Sequence, residues 1–246
     1  MAYTIRLREW LGAVLARCPA DCPLCGVRAA GGGLCTTCEL ALHRSVLKGG
    51  PRCSRCALSL DLQGICHDCE ALKPAFDKVF MAFDYVFPGT LLIHQLKRQR
   101  RFLLARMLAD DLARQVRAST SPPSGDTILL PVPASQRSLR ERGFSPAAEL
   151  ARHLGRALGL PCRTDVLYRC QEVAPQKLLA RRQRLAAVPD LYACHGGVNG
   201  RAVALVDDVM TTGATLHSLS QVLKQAGAAS VSALVVARTP LRERID

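Results

Sequence analysis

The chain has 246 residues, 49% of them hydrophobic and 22% charged, which suits one large domain or two modest ones with a real core. Lys and Arg (33) outnumber Asp and Glu (20), and the resulting charge of +13 is typical of proteins with polyanionic partners such as nucleic acids or phosphate-rich metabolites. No apolar run reaches the roughly 18–20 residues needed to cross a bilayer, so the sequence predicts no transmembrane segment.

The first segment, Met1–Arg17, contains a short apolar stretch at Trp10–Ala16. A signal peptide would explain this stretch, but Glu9 interrupts its start and no small-x-small cleavage site follows. The spacing of its apolar residues instead favours an amphipathic helix. We therefore expect the protein to be cytoplasmic.

Eight of the twelve cysteines form a duplicated unit. Each unit has two C-x-x-C pairs separated by nine residues, and each cysteine of the first unit has a counterpart 31 residues later. Two such turns supply four thiolates and complete a tetrahedral site with no open position. The repeat therefore predicts two structural Zn²⁺ ions, with these ligands: Cys22, Cys25, Cys35, Cys38, Cys53, Cys56, Cys66 and Cys69.

The spacing leaves the pairing of the cysteine pairs open, because sequential and interleaved closure both preserve the repeat. His67 is either a replacement ligand or, as we expect, a solvated loop residue. Gly26 follows Cys25 and suits the positive φ that such a turn often needs. The segment is poor in large apolar residues, so metal would supply much of its folding energy. Two four-thiolate zinc sites would also lower the net charge to about +9.

The middle of the chain alternates between strand and helix signals. Alternating apolar residues predict a strand at Asp77–Phe87, and leucines at helical spacing predict one or two helices over Thr90–Ala118. The basic run Lys97–Arg101 lies inside this helical region. It is either a solvated face or an anion contact, since so dense a run repels itself unless something neutralises it.

A buried strand is predicted at Thr127–Val132, and a helix is predicted to begin near Ser145. Serine at the N-cap with Pro146 at the first helical position is a strong start signal. Three arginines lie on the intervening stretch, which we expect to be a mobile loop: Arg137, Arg140 and Arg142.

A second apolar run, Arg201–Val206, predicts a central parallel strand that ends in the carboxylates of Asp207 and Asp208. Loops at the carboxyl ends of such strands form the ligand crevice of open α/β sheets. Adjacent carboxylates can accept hydrogen bonds from vicinal ribose hydroxyls, whereas N–H groups at a helix N-terminus can wrap a phosphate. A small hydroxyl-rich loop opens the next helix: Thr211, Thr212, Gly213, Ala214 and Thr215. The sequence therefore predicts a sugar-phosphate site.

The segment Ala204–Leu216, ALVDDVMTTGATL, resembles the phosphoribosyl-pyrophosphate (PRPP) motif of type I phosphoribosyltransferases. Nearly the whole chain resembles the ComF family, also called GntX-type or competence-associated phosphoribosyltransferase-like proteins. Besides the cysteine repeat, the matching features are Leu92–Lys97, Pro131–Pro133, Arg140–Phe144, and Gln176 before an arginine cluster at Arg181, Arg182 and Arg184.

The resemblance implies an α/β fold of the type I phosphoribosyltransferase class, Rossmann-like with a mostly parallel sheet. A small N-terminal module, residues 1–74 with a double zinc ribbon, would precede the phosphoribosyltransferase-like domain at 75–246. The implied activity is PRPP binding, with transfer of the phosphoribosyl group and release of pyrophosphate. Asp207, Asp208 and Arg142 are the expected catalytic residues, and Mg²⁺ would accompany PRPP. The expected pyrophosphate contacts are Arg137, Arg140, Arg142 and Lys97.

The resemblance also implies a role in DNA uptake or in the use of incoming DNA, with single-stranded DNA or other competence proteins as partners. The alternative is a single-stranded-DNA-binding competence protein that binds PRPP without turnover. Aromatic residues make up only 4% of the chain and do not interleave with the basic runs, which argues against strong base stacking.

Overall fold

A computed structural model describes residues 19–30, 33–98, 102–170 and 191–241. The strands are β1 (Pro19–Asp21), β2 (Arg28–Ala30), β3 (Lys78–Asp84), β4 (Ile128–Pro131), β5 (Leu167–Arg169), β6 (Tyr192–Cys194), β7 (Ala202–Met210) and β8 (Ser230–Arg238). The helices are α1 (Thr36–Lys48), α2 (His67–Leu72), α3 (Gly89–Arg98), α4 (Phe102–Ala118), α5 (Gln136–Arg142), α6 (Pro146–Leu158) and α7 (Ala214–Gln225).

Three predicted features lie outside the described residues. They are the amphipathic helix at 1–17, the end of the basic run at 99–101, and the segment that holds Gln176 and the arginine cluster. None of the helices in the described ranges combines the length and the apolar character needed to cross a membrane.

The central sheet has four parallel strands in the order β3-β8-β7-β4. β7 and β8 lie in the middle, and Val206 stands opposite Leu234 in their register. Both strands are nearly continuous apolar runs because both faces of the sheet are covered, as expected of parallel sheets. The predicted α/β fold with a mostly parallel sheet is confirmed.

Two apolar clusters sandwich this sheet. On one face α3, α4 and α6 pack against β-strand residues such as Ala204 and Leu234. On the other face α7 and the second cysteine repeat pack against residues such as Leu205 and Val235. The cysteine repeat is thus part of the covering of the sheet. The boundary between residues 74 and 75 stays a prediction.

The predicted elements differ from the structure at three places. The strand predicted at Asp77–Phe87 is present as β3, but apolar burial does not alternate along it, because Val79, Phe80 and Ala82 are all buried between the two covered faces. The acidic pair does not end its strand, since β7 continues to Met210. The expected mobile loop is helix α5, with the side chain of Ser135 as its N-cap.

Other predictions are confirmed. The long helical pattern divides into α3 and α4. Helix α6 begins at Pro146, and the hydroxyl of Ser145 accepts a hydrogen bond from the N–H of Ala148. Because Pro146 has no N–H to satisfy and Ser145 caps the first turn, the local sequence fixes this helix start without tertiary help.

Each cysteine repeat folds as a tight turn followed by a helix. In the first repeat the turn at Cys22–Cys25 joins β1 to β2, and Cys35 is the N-cap of α1. In the second repeat Cys66 is the N-cap of α2. The second C-x-x-C pair of each repeat therefore lies on the first turn of a helix rather than on a second hairpin. The helix N-terminus favours the negative charge of thiolates there.

Candidate functional site

The carboxyl end of β7 carries the acidic pair, and the two carboxylates have different partners. Oδ1 of Asp208 lies 2.9 Å from Nζ of Lys97, at the end of α3, and Asp208 is 8% exposed. Oδ1 of Asp207 accepts a hydrogen bond of 2.8 Å from the N–H of Asp208. The two side chains are thus neighbours in sequence but have different partners.

Lys97 was predicted to contact pyrophosphate, as part of the basic run. In the structure its ammonium pairs with Asp208, so at this position the run supplies an internal counter-ion. The next residue, Arg98, is exposed to solvent. The run thus combines one partly buried cation with at least one solvated cation.

The pKa of Asp207 is strongly raised. Burial and the repulsion of the Asp208 charge raise the pKa of Asp207 to about 8, and the Asp208 N–H and Lys97 offset only part of this rise. A neutral carboxyl group can donate as well as accept a hydrogen bond. Near neutral pH, Asp207 can therefore serve either as donor or as acceptor.

The small-residue loop and the start of α7 follow the acidic pair directly. Gly213 is the N-cap of α7 with φ of 82°, and a side chain there would place its Cβ 2.7 Å from Cε of Met210. Glycine therefore suits the left-handed backbone, and a side chain at this position would also displace the end of Met210. Oγ1 of Thr212 accepts a hydrogen bond of 3.3 Å from the N–H of Ala214. We call Thr211–Thr215 the phosphate loop.

The first N–H groups of α7 have no acceptor inside the helix, and the helix dipole points its positive end at the loop. Thr211 and Thr215 of the same loop are exposed residues. The loop thus offers the donors that bind a phosphate group.

Tyr192 of β6 also reaches this site, which the sequence did not indicate. Its side chain contacts the hydroxyl of Thr215, and its pKa is raised by burial, partly offset by Arg169 and reinforced by the charge of Asp207. Nothing in the short segment around Tyr192 predicts this contact, because it depends on how β6 packs on α7.

The three predicted arginine contacts lie on α5, which follows β4, the neighbour of β7. Arg137 pairs with Glu141 at 2.8 Å, and Arg140 donates a bond of 3.4 Å to Gln136. Arg137 and Arg140 are exposed, and Arg142 is half-buried. The structure brings Lys97, the acidic pair and the phosphate loop together. The bonds just described for Arg137 and Arg140 stay within α5.

A cleft of about 300 Å³ opens beside this helix. Its walls come from the chain after β4, from α5 and from β5, and include Pro131, Leu139 and Tyr168. The ring of Tyr168 stacks on His195 with centroids 4.2 Å apart. Because β4 is hydrogen-bonded to β7, the cleft lies next to the strand that carries the acidic pair.

The eight predicted metal ligands form two groups of four, one for each repeat, so the structure has sequential pairing. Sulfur atoms lie 3.6 Å apart for Cys25 and Cys35, and 3.5 Å apart for Cys56 and Cys66. Four sulfurs at about 2.3 Å from a zinc ion stand about 3.8 Å apart, so both groups fit Zn²⁺. His67 is solvent-exposed and pairs with Asp61, outside the cluster.

The surroundings of the sulfurs also suit a metal. Burial raises the pKa of Cys22, but backbone N–H groups, foremost that of Cys35, outweigh it and bring the pKa to about 6. Burial also raises the pKa of Cys53, but backbone N–H groups outweigh this effect, so the pKa of Cys53 is lowered overall. Each cluster thus contains a cysteine predisposed to the thiolate form that zinc binds.

Comparison with known proteins gives relatives over most of the chain. Residues 138–244 match the phosphoribosyl transferase domain family. The DNA utilization protein YhgH of Salmonella typhi is 32% identical over 211 residues, which cover 84% of this chain and 91% of that protein. Competence protein F of Haemophilus influenzae is 31% identical over 212 residues, covering 84% and 90%.

Among solved structures, a hypoxanthine-guanine phosphoribosyltransferase from Bacillus anthracis is similar at a TM-score of 0.38 and 18% identity, over 58% of this chain and 73% of that chain. These two relatives match 84% of this chain and at least 90% of their own length. The chain therefore belongs to the ComF family, the family of competence protein F and the DNA utilization protein YhgH.

Proposed function

We propose that the chain binds PRPP with Mg²⁺ at the acidic pair and the phosphate loop, and transfers its phosphoribosyl group to an acceptor with release of pyrophosphate. The observation that carries the proposal is the position of Asp207 and Asp208 near the carboxyl end of β7, just before the phosphate loop and the N-terminus of α7. This arrangement offers acceptors for the ribose hydroxyls and, a few residues further on, N–H donors for the 5′-phosphate.

In this proposal the chain acts mainly by positioning. Asp207 and Asp208 hold the ribose, the phosphate loop holds the 5′-phosphate, and water is displaced from the reacting carbon between them. Mg²⁺, bound to the oxygens of PRPP, would neutralise the leaving pyrophosphate, a task suited to this hard cation. Lys97 would be released from Asp208 as the ligand enters and could then face the pyrophosphate.

The pyrophosphate side would be completed by Arg137, Arg140 and Arg142 of α5. This requires their side chains to turn away from partners on their own helix, and the exposure of Arg137 and Arg140 permits it. The cleft beside β4 is our candidate for the acceptor. Tyr168 of its wall, whose ring stacks on His195, suits a flat aromatic acceptor.

The test is calorimetric titration of PRPP with Mg²⁺ into the wild type and into an Asp207→Ala/Asp208→Ala variant. An Asp126→Ala/Asp165→Ala variant is the matched control, since it removes two exposed carboxylates that belong neither to the acidic pair nor to the phosphate loop. We expect PRPP binding to be lost only in the first variant. Equal affinity in all three proteins would contradict the proposal. Pyrophosphate release from PRPP in the presence of nucleobases then tests transfer.

A second candidate is binding of single-stranded DNA, with PRPP held but not turned over. The observation in its favour is the set of exposed cations, Arg98, Arg137 and Arg140, together with the net charge of +13. The names of the relatives, a DNA utilization protein and a competence protein, agree with a role near DNA. A steep salt dependence of oligonucleotide binding, unchanged by PRPP and without pyrophosphate release, would support this candidate over the first.

A further inference from the structure

The second cysteine repeat and the phosphate loop lie against each other at the carboxyl edge of the sheet. A crevice of about 20 Å³ separates them, which is room for about one water molecule. Its walls include Cys56, Cys69, Met210 and Gly213. Phe76 fills the adjoining space and is only 2% exposed. The second cysteine repeat and the phosphate loop therefore share the walls of one small cavity.

Arg238, at the end of β8, connects the two parts by hydrogen bonds. It is 1% exposed, and its Nε donates to the carbonyl oxygen of Cys56 at 3.1 Å. Its Nη1 donates to the carbonyl oxygen of Met210 at 3.1 Å and also to that of Thr211. One buried guanidinium thus donates both to the Cys56 carbonyl, in the metal-binding turn of the second repeat, and to the carbonyls of Met210 and Thr211, where β7 ends and the phosphate loop begins.

A second arginine holds the same turn. Arg52 forms two bonds to the carboxylate of Asp84, at 3.0 and 2.7 Å, and donates to the carbonyl oxygen of Ala57 at 3.0 Å. Asp84 is 4% exposed and is the register partner of Arg238 on the neighbouring strand. The turn is therefore linked to β3 through Arg52 and Asp84, and to β8 through Arg238.

The first cysteine repeat has other neighbours. Its turn accepts a bond of 3.1 Å from Gln95 of α3 at the carbonyl oxygen of Pro23. Its helix α1 pairs with α4, where Nη1 of Arg114 lies 2.6 Å from Oε1 of Glu39. These contacts are made to α3 and α4, and none of the bonds just described reaches the phosphate loop. The two repeats are alike in sequence but attach to different parts of the fold.

We propose that the second cysteine cluster holds the phosphate loop in its binding geometry through Arg238, a positioning residue, and that loss of metal from this cluster loosens the loop. A buried guanidinium keeps its position only while its acceptors are in place. If the Cys56 carbonyl moves, Nε of Arg238 loses its acceptor, and the guanidinium that also donates to Met210 and Thr211 is less firmly fixed. The consequence for PRPP affinity rests on the proposed function, whereas the ordering of the loop does not.

The repeat supplies a matched pair of variants. Cys35 and Cys66 are equivalent N-cap ligands of the first and second cluster. Hydrogen exchange of residues 209–216 is measured in the full chain without ligand. We expect exchange there to be about tenfold faster or more in Cys66→Ser and unchanged in Cys35→Ser. Equal exchange in both variants would overturn the proposal.

Arg238→Lys tests the connection and leaves every metal ligand in place. Lysine has no planar guanidinium, so it cannot donate to all these carbonyls at once. We expect this variant to keep as much zinc as the wild type by metal analysis and to show unchanged exchange in α1. Exchange at 209–216 should nevertheless be faster. Wild-type exchange at 209–216 would refute the role of Arg238, even if Cys66→Ser proved too unstable to study.

A parallel titration separates this proposal from the proposed function. If the wild type binds PRPP, affinity should fall about tenfold in Cys66→Ser and in Arg238→Lys, which is about 1.4 kcal/mol. Equal PRPP affinity would overturn the functional consequence. If the wild type does not bind PRPP at all, the proposed function fails, and the exchange data still decide whether the cluster orders the loop.

Discussion

The two adjacent carboxylates near the end of β7 show that neighbouring residues of one strand can have very different electrostatic surroundings. Asp208 has a cation, Lys97, at 2.9 Å, whereas the pKa of Asp207 is raised to about 8 by burial and by the charge of Asp208. A raised pKa means that the folded chain binds this proton more tightly than the unfolded chain does. The wild type therefore loses stability as the pH rises from about 4 to about 8.

Asp207→Asn removes this titration, and we expect it to stabilise the protein by about 0.5–2 kcal/mol at pH 8.5, with a smaller gain at pH 6. Urea unfolding at the two pH values measures the difference. Asp126→Asn is the control, because the hydrogen bond from Ser124 lowers the pKa of Asp126 and no gain is expected. A gain for Asp207→Asn that does not depend on pH would contradict the assignment.

The acidic pair and the phosphate loop should recognise opposite ends of one ligand. Asp207→Asn should weaken PRPP binding but leave the affinity for inorganic phosphate unchanged. Thr215→Val should weaken both, because the lost hydroxyl faces the phosphate that the two ligands share. Each loss should cost about 1–3 kcal/mol, the range for a hydrogen bond to a charged group. Calorimetry with both ligands is the measurement, and identical effects of the two variants would disprove the split site.

At the scale of elements, the two metal-binding turns differ in the residue that follows their second cysteine. Gly26 has φ of 77°, and its counterpart 31 residues later is Ala57, with φ of 61°. The turn therefore requires a left-handed residue in both repeats. Alanine is tolerated in the second, where its side chain is buried in the core.

Gly26→Ala should therefore destabilise the first cluster by about 1 kcal/mol, since the new methyl group would meet no neighbour to compensate the strained backbone. A chelator competition should show weaker metal retention in the first cluster. Gly125→Ala, at an open position without positive φ, is the matched control and should have no effect. Equal behaviour of the two variants would argue against strain in the turn.

Features set by neighbouring residues could be predicted from the sequence, and features set by packing could not. Ser145 and Pro146 specify a helix start locally, and the order of Asp207, Asp208 and the phosphate loop specifies a strand-to-helix crevice. The bond from Arg238 to Cys56 joins residues 182 positions apart, so no local pattern indicates it. The pairing of Lys97 with Asp208 likewise depends on how α3 packs on the sheet.

At the scale of the whole molecule, the cysteine clusters should contribute to stability as well as to local structure. We expect metal analysis of protein purified without chelator to give close to two zinc ions per chain. Cys35→Ser and Cys66→Ser should each lose one of them. Chelation should lower the melting temperature, because part of the core is formed by residues of the second repeat. A metal content near zero in a chain that stays folded would rule out structural zinc.

The strand order has a consequence for synthesis of the chain. β8 follows the other described strands in sequence, yet it lies between β3 and β7. At about 5–20 residues per second on the ribosome, β3 would wait roughly 10–30 s for its hydrogen-bonding partner. During that time the apolar side chains of β3, such as Phe80, are not buried against a formed sheet. Nascent chains shorter than about 230 residues should therefore depend on chaperones, and stalled ones should aggregate rather than persist as half-formed sheets.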